Sequence, residues 1–224
     1  MMVAVEVAVQ DVAGARVALE SGADRVELCV ALGLSGGLTP TPARVRQVAD
    51  VGLPVHALVR PRPGGFVHDA DEVALLVAEV RGCVDAGAAG VVVGALTASG
   101  ELDEPSVAAL VDAAGGVEVT FHRAFDVVAD RADAIERLGA LGVTRVLTSG
   151  GAPTAAEGAA EIARVVRRAA GRVQVMAGGG LRPEHVRALV AAGVDAVHLS
   201  ARRVVPDRGP AGPGGGRDAG LEVT

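Results

Sequence analysis

The residues best suited to chemistry stand directly after short apolar runs of the sequence. Glu27 follows one such run, and the segment 120–126, which reads TFHRAFD, brings His122, Arg123 and Asp126 close together. Carboxylates and imidazoles in a cleft can transfer protons, and a guanidinium beside them can hold an anionic substrate. We therefore predict a catalytic group of Glu27, His122, Arg123 and Asp126. His122 is expected to act as a general acid or base, and Glu27 as a second one or as an orienting group.

A second group of residues has the chemistry needed to hold an anion. Backbone N–H groups of a glycine loop before a helix start bind anions, and phosphate-binding barrels commonly use the loops after strands seven and eight. The glycine triplet here precedes the helix start at 182–184. The alternative is a tight turn that merely needs glycine. The predicted anion site consists of Arg60, Arg62, Gly178, Gly179, Gly180 and Ser200.

Soft metal ligands are few in this sequence. It contains two cysteines, Cys29 at the end of a predicted strand and Cys83 inside a predicted helix. Cu(I) prefers two or more thiolate or thioether ligands, and Met176 is equally well explained as a core residue. No Cys-x-x-Cys or His-x-x-x-His spacing occurs. The spacing of ligands therefore does not indicate a closed copper site, and it indicates a zinc site even less.

Val-rich runs alternate with amphipathic stretches along the chain, and this alternation predicts the fold. Strands are predicted near residues 3–9, 25–29, 55–60, 90–94, 117–123, 144–149, 173–177 and 196–200. Helices are predicted near residues 11–20, 42–50, 71–85, 105–113, 131–141, 155–169 and 183–191. Repeated strand–helix units wind in one hand, and closure of eight strands removes exposed edges. We predict an α/β fold of the (β/α)8 TIM-like barrel type, with an open doubly wound sheet as the alternative.

The sequence after the eighth predicted strand lacks the helical pattern that would complete a (β/α)8 barrel. Residues 1–205 are predicted to form a single barrel domain, and 206–224 a Pro/Gly-rich tail that is poorly ordered. The eighth helix is predicted to be missing or truncated. One seam of the barrel would then be under-covered, so either a neighbouring subunit covers it or the chain has been shortened. We expect a homo-oligomer.

Side-chain alternation predicts which residues enter the barrel. Successive side chains of a strand point to opposite faces, so Glu6, Glu27, Arg60 and His122 are predicted to lie along the barrel axis. A buried carboxylate is costly unless it is paired, so the guanidinium groups are its expected partners. For Glu6, a structural ion pair and a functional role are equally consistent with this pattern.

Composition and charge exclude several classes of protein. The formal net charge is −6, Trp and Tyr are absent, and no basic stripe occurs. A nucleic-acid-binding protein would need basic and aromatic surfaces, so we predict none. No apolar stretch is long enough to span a bilayer and no secretory leader is recognisable, so we expect a cytoplasmic protein with no membrane association. The expected partner is a small anionic ligand or a metal ion.

Several blocks of the sequence resemble the CutC family. These blocks are RVELC at 25–29, GGLTPT at 36–41, RPR at 60–62, TFHRAFD at 120–126, RVLTSG at 145–150 and MAGGG at 176–180. Their order and spacing agree over residues 3–200. The resemblance implies a cytoplasmic (β/α)8 barrel, often oligomeric, that is associated with copper homeostasis and copper ion binding; the family's reaction is not settled.

Two departures from the family pattern bear on that implication. Family members often carry a cysteine on the first strand, where this sequence has Ala8, so Cys29 alone remains as a copper ligand by resemblance. The family also usually continues into a final helix. Two functions are therefore left open. One is copper handling, and the other is an enzyme of unknown reaction that acts on a small anionic metabolite, including a phosphorylated one. A non-catalytic scaffold is the third interpretation.

Overall fold

Eight parallel strands close into a barrel in the order of the chain. The structure, a computed structural model, describes residues 3–206 and 220–223. The strands are β1 Ala4–Val9, β2 Arg25–Leu28, β3 Val55–Leu58, β4 Gly90–Val93, β5 Glu118–Phe121, β6 Arg145–Thr148, β7 Gln174–Gly178 and β8 Ala196–Leu199. Closure occurs between β1 and β8, where Glu6 pairs with His198. The predicted barrel is confirmed, and the open sheet is excluded.

Helices follow the first seven strands and cover the outside of the barrel, except for the short α2, which lies at the mouth. They are α1 Val12–Glu20, α2 Leu32–Ser35, α3 Pro42–Ala49, α4 Ala70–Asp85, α5 Glu104–Ala114, α6 Arg131–Ala140, α7 Ala159–Ala169 and α8 Pro183–Ala191. The short α2 was not predicted. Helix α7 begins later than the pattern predicted, because the backbone N–H of Ala155 donates to the carbonyl of Gly179 at 2.9 Å. This bond holds the start of that segment against the loop after β7.

The core lies between the strands and the helices. Outward-facing strand residues such as Val26, Val91, Val146 and Val175 are fully buried there. Valine suits these positions because parallel strands are covered on both faces and favour β-branched side chains. The opposite faces of the same strands point into the barrel, where Glu6, Thr120 and Arg145 are almost completely buried. This polar interior is what the candidate site is built from.

The segment after β8 contains no helix within residues 200–206 and 220–223. Instead, β9 Arg203–Pro206 pairs in antiparallel fashion with β10 Gly220–Val223. The prediction that no eighth helix follows β8 therefore holds for the described part of the chain. Residues 207–219 and 224 of the predicted tail lie outside it, and both the poor order of the tail and the homo-oligomer stay predictions. None of the described helices is both long enough and apolar enough to cross a bilayer.

Candidate functional site

A cavity of about 440 Å³ opens at the carboxyl ends of the strands. Its polar lining is supplied by Glu27, Arg60, His122, Arg123, Gly179, Gly180, His198 and Ser200. Its apolar wall consists mainly of Leu32, Leu58, Phe66, Leu147 and Leu181. The carboxyl end of a parallel barrel is where loops converge and helix N-termini point inward, and this is the usual location of barrel active sites.

A buried ion pair lies on the floor beneath this cavity. The strand register places Glu6 between Arg25 on β2 and His198 on β8. Arg25 Nε donates to Glu6 Oε2 at 2.7 Å, and Glu6 Oε1 lies 2.8 Å from His198 Nδ1. Burial alone would raise the pKa of Glu6, but His198 and Arg25 outweigh it and bring the pKa to about 2. Glu6 is therefore ionised at neutral pH.

Glu27 is the second carboxyl group of the floor, and its surroundings are different. Its side chain lines the cavity although the residue is only 6% exposed. No hydrogen bond or ion pair to its carboxylate is found in the part of the chain that the structure describes. Burial is the largest influence and raises the pKa of Glu27 to about 7, with His198 opposing the shift and Glu6 adding to it. Glu27 is thus a carboxyl group that exchanges its proton near neutral pH.

His198 connects these two carboxyl groups. Burial lowers its pKa, but the charge of Glu27 and the hydrogen bond with Glu6 outweigh burial, so the pKa of His198 is raised. The bond to Glu6 sets the orientation of the imidazole ring. The sequence prediction did not select His198. Its alternation with Ser200 in the predicted strand 196–200 was the available signal, but the partnership with Glu6 depends on closure between the first and last strands.

His122 lines the cavity as predicted, but its protonation suits a role other than the predicted acid or base. Burial and the charge of Arg60 lower the pKa of His122 to about 3, so the ring is neutral at physiological pH. Its Nδ1 accepts a hydrogen bond from the N–H of Ala124 at 3.1 Å, which assigns the ring proton to Nε2. Gly94 faces this ring, and a Cβ there would lie 2.2 Å from His122 Cε1. His122 is thus a tightly packed hydrogen-bond donor.

Arg60 brings a positive charge to the cavity. Its Nη1 donates to the carbonyl of Ser35 at 2.7 Å and its Nη2 to the carbonyl of Gly64 at 2.8 Å. Its Cζ lies 5.7 Å from the centroid of the Phe66 ring, and its Nε is buried without a hydrogen-bond partner. Among the described residues, no carboxylate forms an ion pair with Arg60. Neutral carbonyl groups hold the guanidinium in place without cancelling its charge.

Asp126 does not line the cavity; it organises the loop after β6. Its carboxylate accepts hydrogen bonds from Thr148 Oγ1 at 2.5 Å, from the N–H of Gly151 at 3.0 Å and from Arg123 Nε at 2.8 Å. Ser149 adds a further N–H donor at 3.0 Å. Burial raises the pKa of Asp126, but these hydrogen bonds outweigh it and lower the pKa overall. A carboxylate with this many donors positions its neighbours, so this placement favours a supporting role over the predicted catalytic one.

Arg123 and the glycine loop meet at the rim of the cavity. Arg123 Nη2 donates to Ser149 Oγ at 2.8 Å. A Cβ on Gly179, whose φ is +110°, would lie 3.2 Å from Arg123 Cζ, so the bare backbone of Gly179 packs against the guanidinium. Gly180 and Ser200 also line the cavity, whereas Gly178 packs against Leu147 and His198 at the end of β7. The structure therefore brings together most of the residues predicted to bind an anion.

Arg62 lies outside this cavity. Its guanidinium forms an ion pair with Glu72, and its Nη2 also donates to the carbonyl of Val67 at 2.9 Å. Arg60 and Arg62 belong to the same loop and the same residue type, but Arg62 is turned toward the N-terminus of α4. This placement separates Arg62 from the other residues of the predicted anion site.

Cys29 also lies behind the cavity wall. It is fully buried and packs with Leu58 and Val92 inside the barrel. Cys83 is buried in α4, and neither cysteine is in a disulfide. Met176 belongs to a separate apolar cluster, and its Sδ accepts from Arg25 Nη2 at 3.3 Å. The donors around Cys29 therefore do not fit a closed Cu(I) site, which needs at least two soft ligands.

Comparison with known proteins gives consistent matches over the barrel. The CutC family model matches residues 3–203. A CutC family protein of Xylella fastidiosa (strain 9a5c) is 47% identical over 205 residues, covering 91% of this chain and 76% of the relative. One of Agrobacterium fabrum is 44% identical over 185 residues, covering 83% of this chain and 73% of the relative.

Solved structures give the same result. The crystal structure of CutC from Streptococcus agalactiae matches with a TM-score of 0.83 and 29% sequence identity, covering 88% of this chain and 98% of that chain. The sequence blocks, the closed barrel and these matches agree over nearly all of the described residues, and the chain belongs to the CutC family.

Proposed function

We propose that this protein is an enzyme that binds a small anionic metabolite at the barrel mouth and acts on it with Glu27 and His198. The observation that carries the proposal is one of position: two guanidinium groups, Arg60 and Arg123, open onto the same cavity as a carboxyl group and an imidazole. A volume of about 440 Å³ lies within the range of small-molecule sites, roughly 300–1,000 Å³.

The anionic end of the metabolite is assigned to the rim. Arg123, Gly179, Gly180 and Arg60 all line the cavity. The Nε2–H of His122 adds a neutral donor. Guanidinium groups and backbone N–H groups both bind carboxylate or phosphate oxygens through charge-assisted hydrogen bonds. The apolar wall leaves room for a short uncharged portion of the molecule.

The reacting end is assigned to the floor. Glu27 and His198 face the cavity from neighbouring parts of the barrel, and both can carry a proton. Glu6 holds the ring of His198 through the 2.8 Å contact at Nδ1, and Glu6 is itself held by Arg25. Glu6 is a positioning residue in this scheme. General acid–base chemistry needs such groups within reach of one bound molecule, and the small cavity meets that condition.

The test compares variants of the two arginines that line the cavity with a variant of Arg62, which lies outside it. Binding of inorganic phosphate, and of a panel of phosphorylated and carboxylated metabolites, is measured by calorimetry and by thermal shift. Arg123→Met and Arg60→Met are expected to weaken binding at least about tenfold, since each loses a charged hydrogen-bonding partner of the anion. Arg62→Met is the matched control and is expected to bind like the wild type. Equal affinities in all three variants, or no binding by the wild type, would refute the proposal.

Copper handling is the alternative that comes from the family. The streptococcal relative is named for a suggested role in copper homeostasis. For this chain the idea depends on Cys29, whose buried apolar surroundings favour it less than the anion site. Titration with Cu(I) against a competing chelator tests it directly. Stoichiometric binding that is lost in Cys29→Ser would support it, and equal results for the two proteins would exclude Cys29 as a ligand.

A further inference from the structure

We propose that Glu6, Glu27 and His198 bind a divalent transition-metal cation at the floor of the mouth cavity. One potential ligand atom from each of the three residues lies within 4.8 Å of the other two. No other group of three or more His, Cys, Asp or Glu side chains among the described residues meets this criterion. This site is separate from the cysteine that the family resemblance suggests.

The three ligands are carried by adjacent strands of the barrel. They belong to β8, β1 and β2, which are neighbours in the barrel and are joined by backbone hydrogen bonds. Glu6 pairs with His198 in the register of one strand pair, and Glu27 pairs with Ala8 in the other. Ligands on adjacent strands keep their spacing better than ligands on loops, which is what a binding site for an ion requires.

The surroundings of Glu27 point independently to a cation. The residue is more than nine-tenths buried, its side chain faces the cavity, and its carboxylate has no hydrogen-bond donor among the described residues. Burial of a carboxylate without a partner is unfavourable. His198 interacts with Glu27 through charge but forms no hydrogen bond with it, so a cation held between the two would give the Glu27 carboxylate a directly bound partner, while Arg25 continues to hold Glu6 Oε2.

The donor atoms decide the class of metal. Two carboxylates and one imidazole offer oxygen and nitrogen, which suit divalent ions such as Mn²⁺ and Zn²⁺, whereas Cu(I) prefers sulfur. Three protein ligands leave coordination positions open toward the cavity, as in catalytic rather than structural metal sites. This inference goes beyond the proposed function, and metal binding can be measured without any metabolite. With the ion bound, Glu27 and His198 would be its ligands, and the acid–base roles proposed for them would apply to the metal-free protein.

The experiment measures metal binding to the chelator-treated, dialysed protein. Calorimetry with Mn²⁺ and with Zn²⁺ is expected to give one site per chain, and the melting temperature is expected to rise with ion concentration. Glu27→Gln is expected to weaken the affinity at least about 100-fold, more than the loss of an outer-shell partner costs. Glu118→Gln changes a carboxylate at the other end of the barrel interior and is expected to bind as the wild type does.

A spectroscopic measurement covers the case in which a variant folds poorly. Electron paramagnetic resonance of bound Mn²⁺ in the wild-type protein is expected to show coupling to an imidazole nitrogen, and His198→Gln is expected to remove that coupling. Absence of Mn²⁺ and Zn²⁺ binding, or binding that is unchanged in Glu27→Gln, would overturn the inference. Failure of the phosphate experiment would leave these results unaffected, so the two proposals can fail separately.

Discussion

Arg145 at the N-terminal end of the barrel interior differs in its partners from Arg60 and Glu27 at the mouth. Other charged groups at the mouth are paired, as Glu6 is with Arg25. At the N-terminal end, Arg145 donates to Glu118 at 2.9 Å, to Gln174 at 2.5 Å and to Thr120 at 3.3 Å. At the mouth, the Arg60 guanidinium has only backbone carbonyls as partners, and Glu27 has no hydrogen bond among the described residues.

This difference separates a stabilising polar network from a site. A buried polar network in which donors and acceptors are paired stabilises the fold. Removal of one side chain leaves its partners without hydrogen bonds, which lowers the free energy of unfolding. Groups that are buried without partners reduce stability and are retained where a ligand supplies the partner. The N-terminal end therefore stabilises the barrel, and the mouth carries the candidate chemistry.

The largest effect on this comparison is expected from Arg145→Met. The change removes the guanidinium that joins the first residues of β5, β6 and β7, so Glu118 and Gln174 lose their common donor. Because the Glu118 side chain that is left behind is 44% exposed, water replaces part of the lost pairing, and we expect the free energy of unfolding to fall by about 1–3 kcal/mol. Urea denaturation measures it. A loss below about 1 kcal/mol would mean that the two ends do not differ as described.

An intermediate loss of stability is expected when the pH is lowered. The folded-state pKa of His122 is lowered from 6.5 to about 3, so the unfolded chain binds a proton at this site between those values while the folded protein does not. Stability from this group is therefore present above pH 6.5 and is lost as the pH falls toward 3. Between pH 7 and pH 5 we expect a loss of about 1–2 kcal/mol from His122.

The matched variant for this prediction is His122→Asn. The Oδ1 of asparagine can accept from the N–H of Ala124 in place of Nδ1, but it does not titrate. Urea denaturation at both pH values is expected to show a smaller loss of stability in the variant than in the wild type. An identical loss in both proteins would show that His122 is not held neutral by its surroundings.

The smallest effect is expected from Glu27→Gln in metal-free protein. Because its carboxylate has no donor to lose among the described residues, we expect the free energy of unfolding at pH 7 to be unchanged or to rise by up to about 1 kcal/mol. Thermal and urea denaturation measure it. Destabilisation comparable to that of Arg145→Met would show that Glu27 belongs to a stabilising network, and the contrast between the two ends would disappear.

Local patterns were sufficient to predict the order of the eight barrel strands and of the longer helices between them, and several of the inward-facing residues. The two-residue period of a strand determines which side chains share a face, so the inward positions of Glu6 and Glu27 followed from sequence alone. The position of Cys29 on the inward face followed equally well. Its exclusion from the cavity did not, because it depends on packing with Leu58 and Val92 from strands distant in sequence.

The sequence by itself determined eight strands with helices between them and none predicted after the last, a barrel, and a polar group at its carboxyl end, because hydrophobic period and glycine turns are local properties. Only the tertiary structure decided which polar groups pair. Barrel closure brought His198 to Glu6, and the loop conformation after β3 turned Arg62 to Glu72 while Arg60 stayed at the cavity. Partnership between side chains depends on distances across the fold, and a local pattern contains no information about those distances.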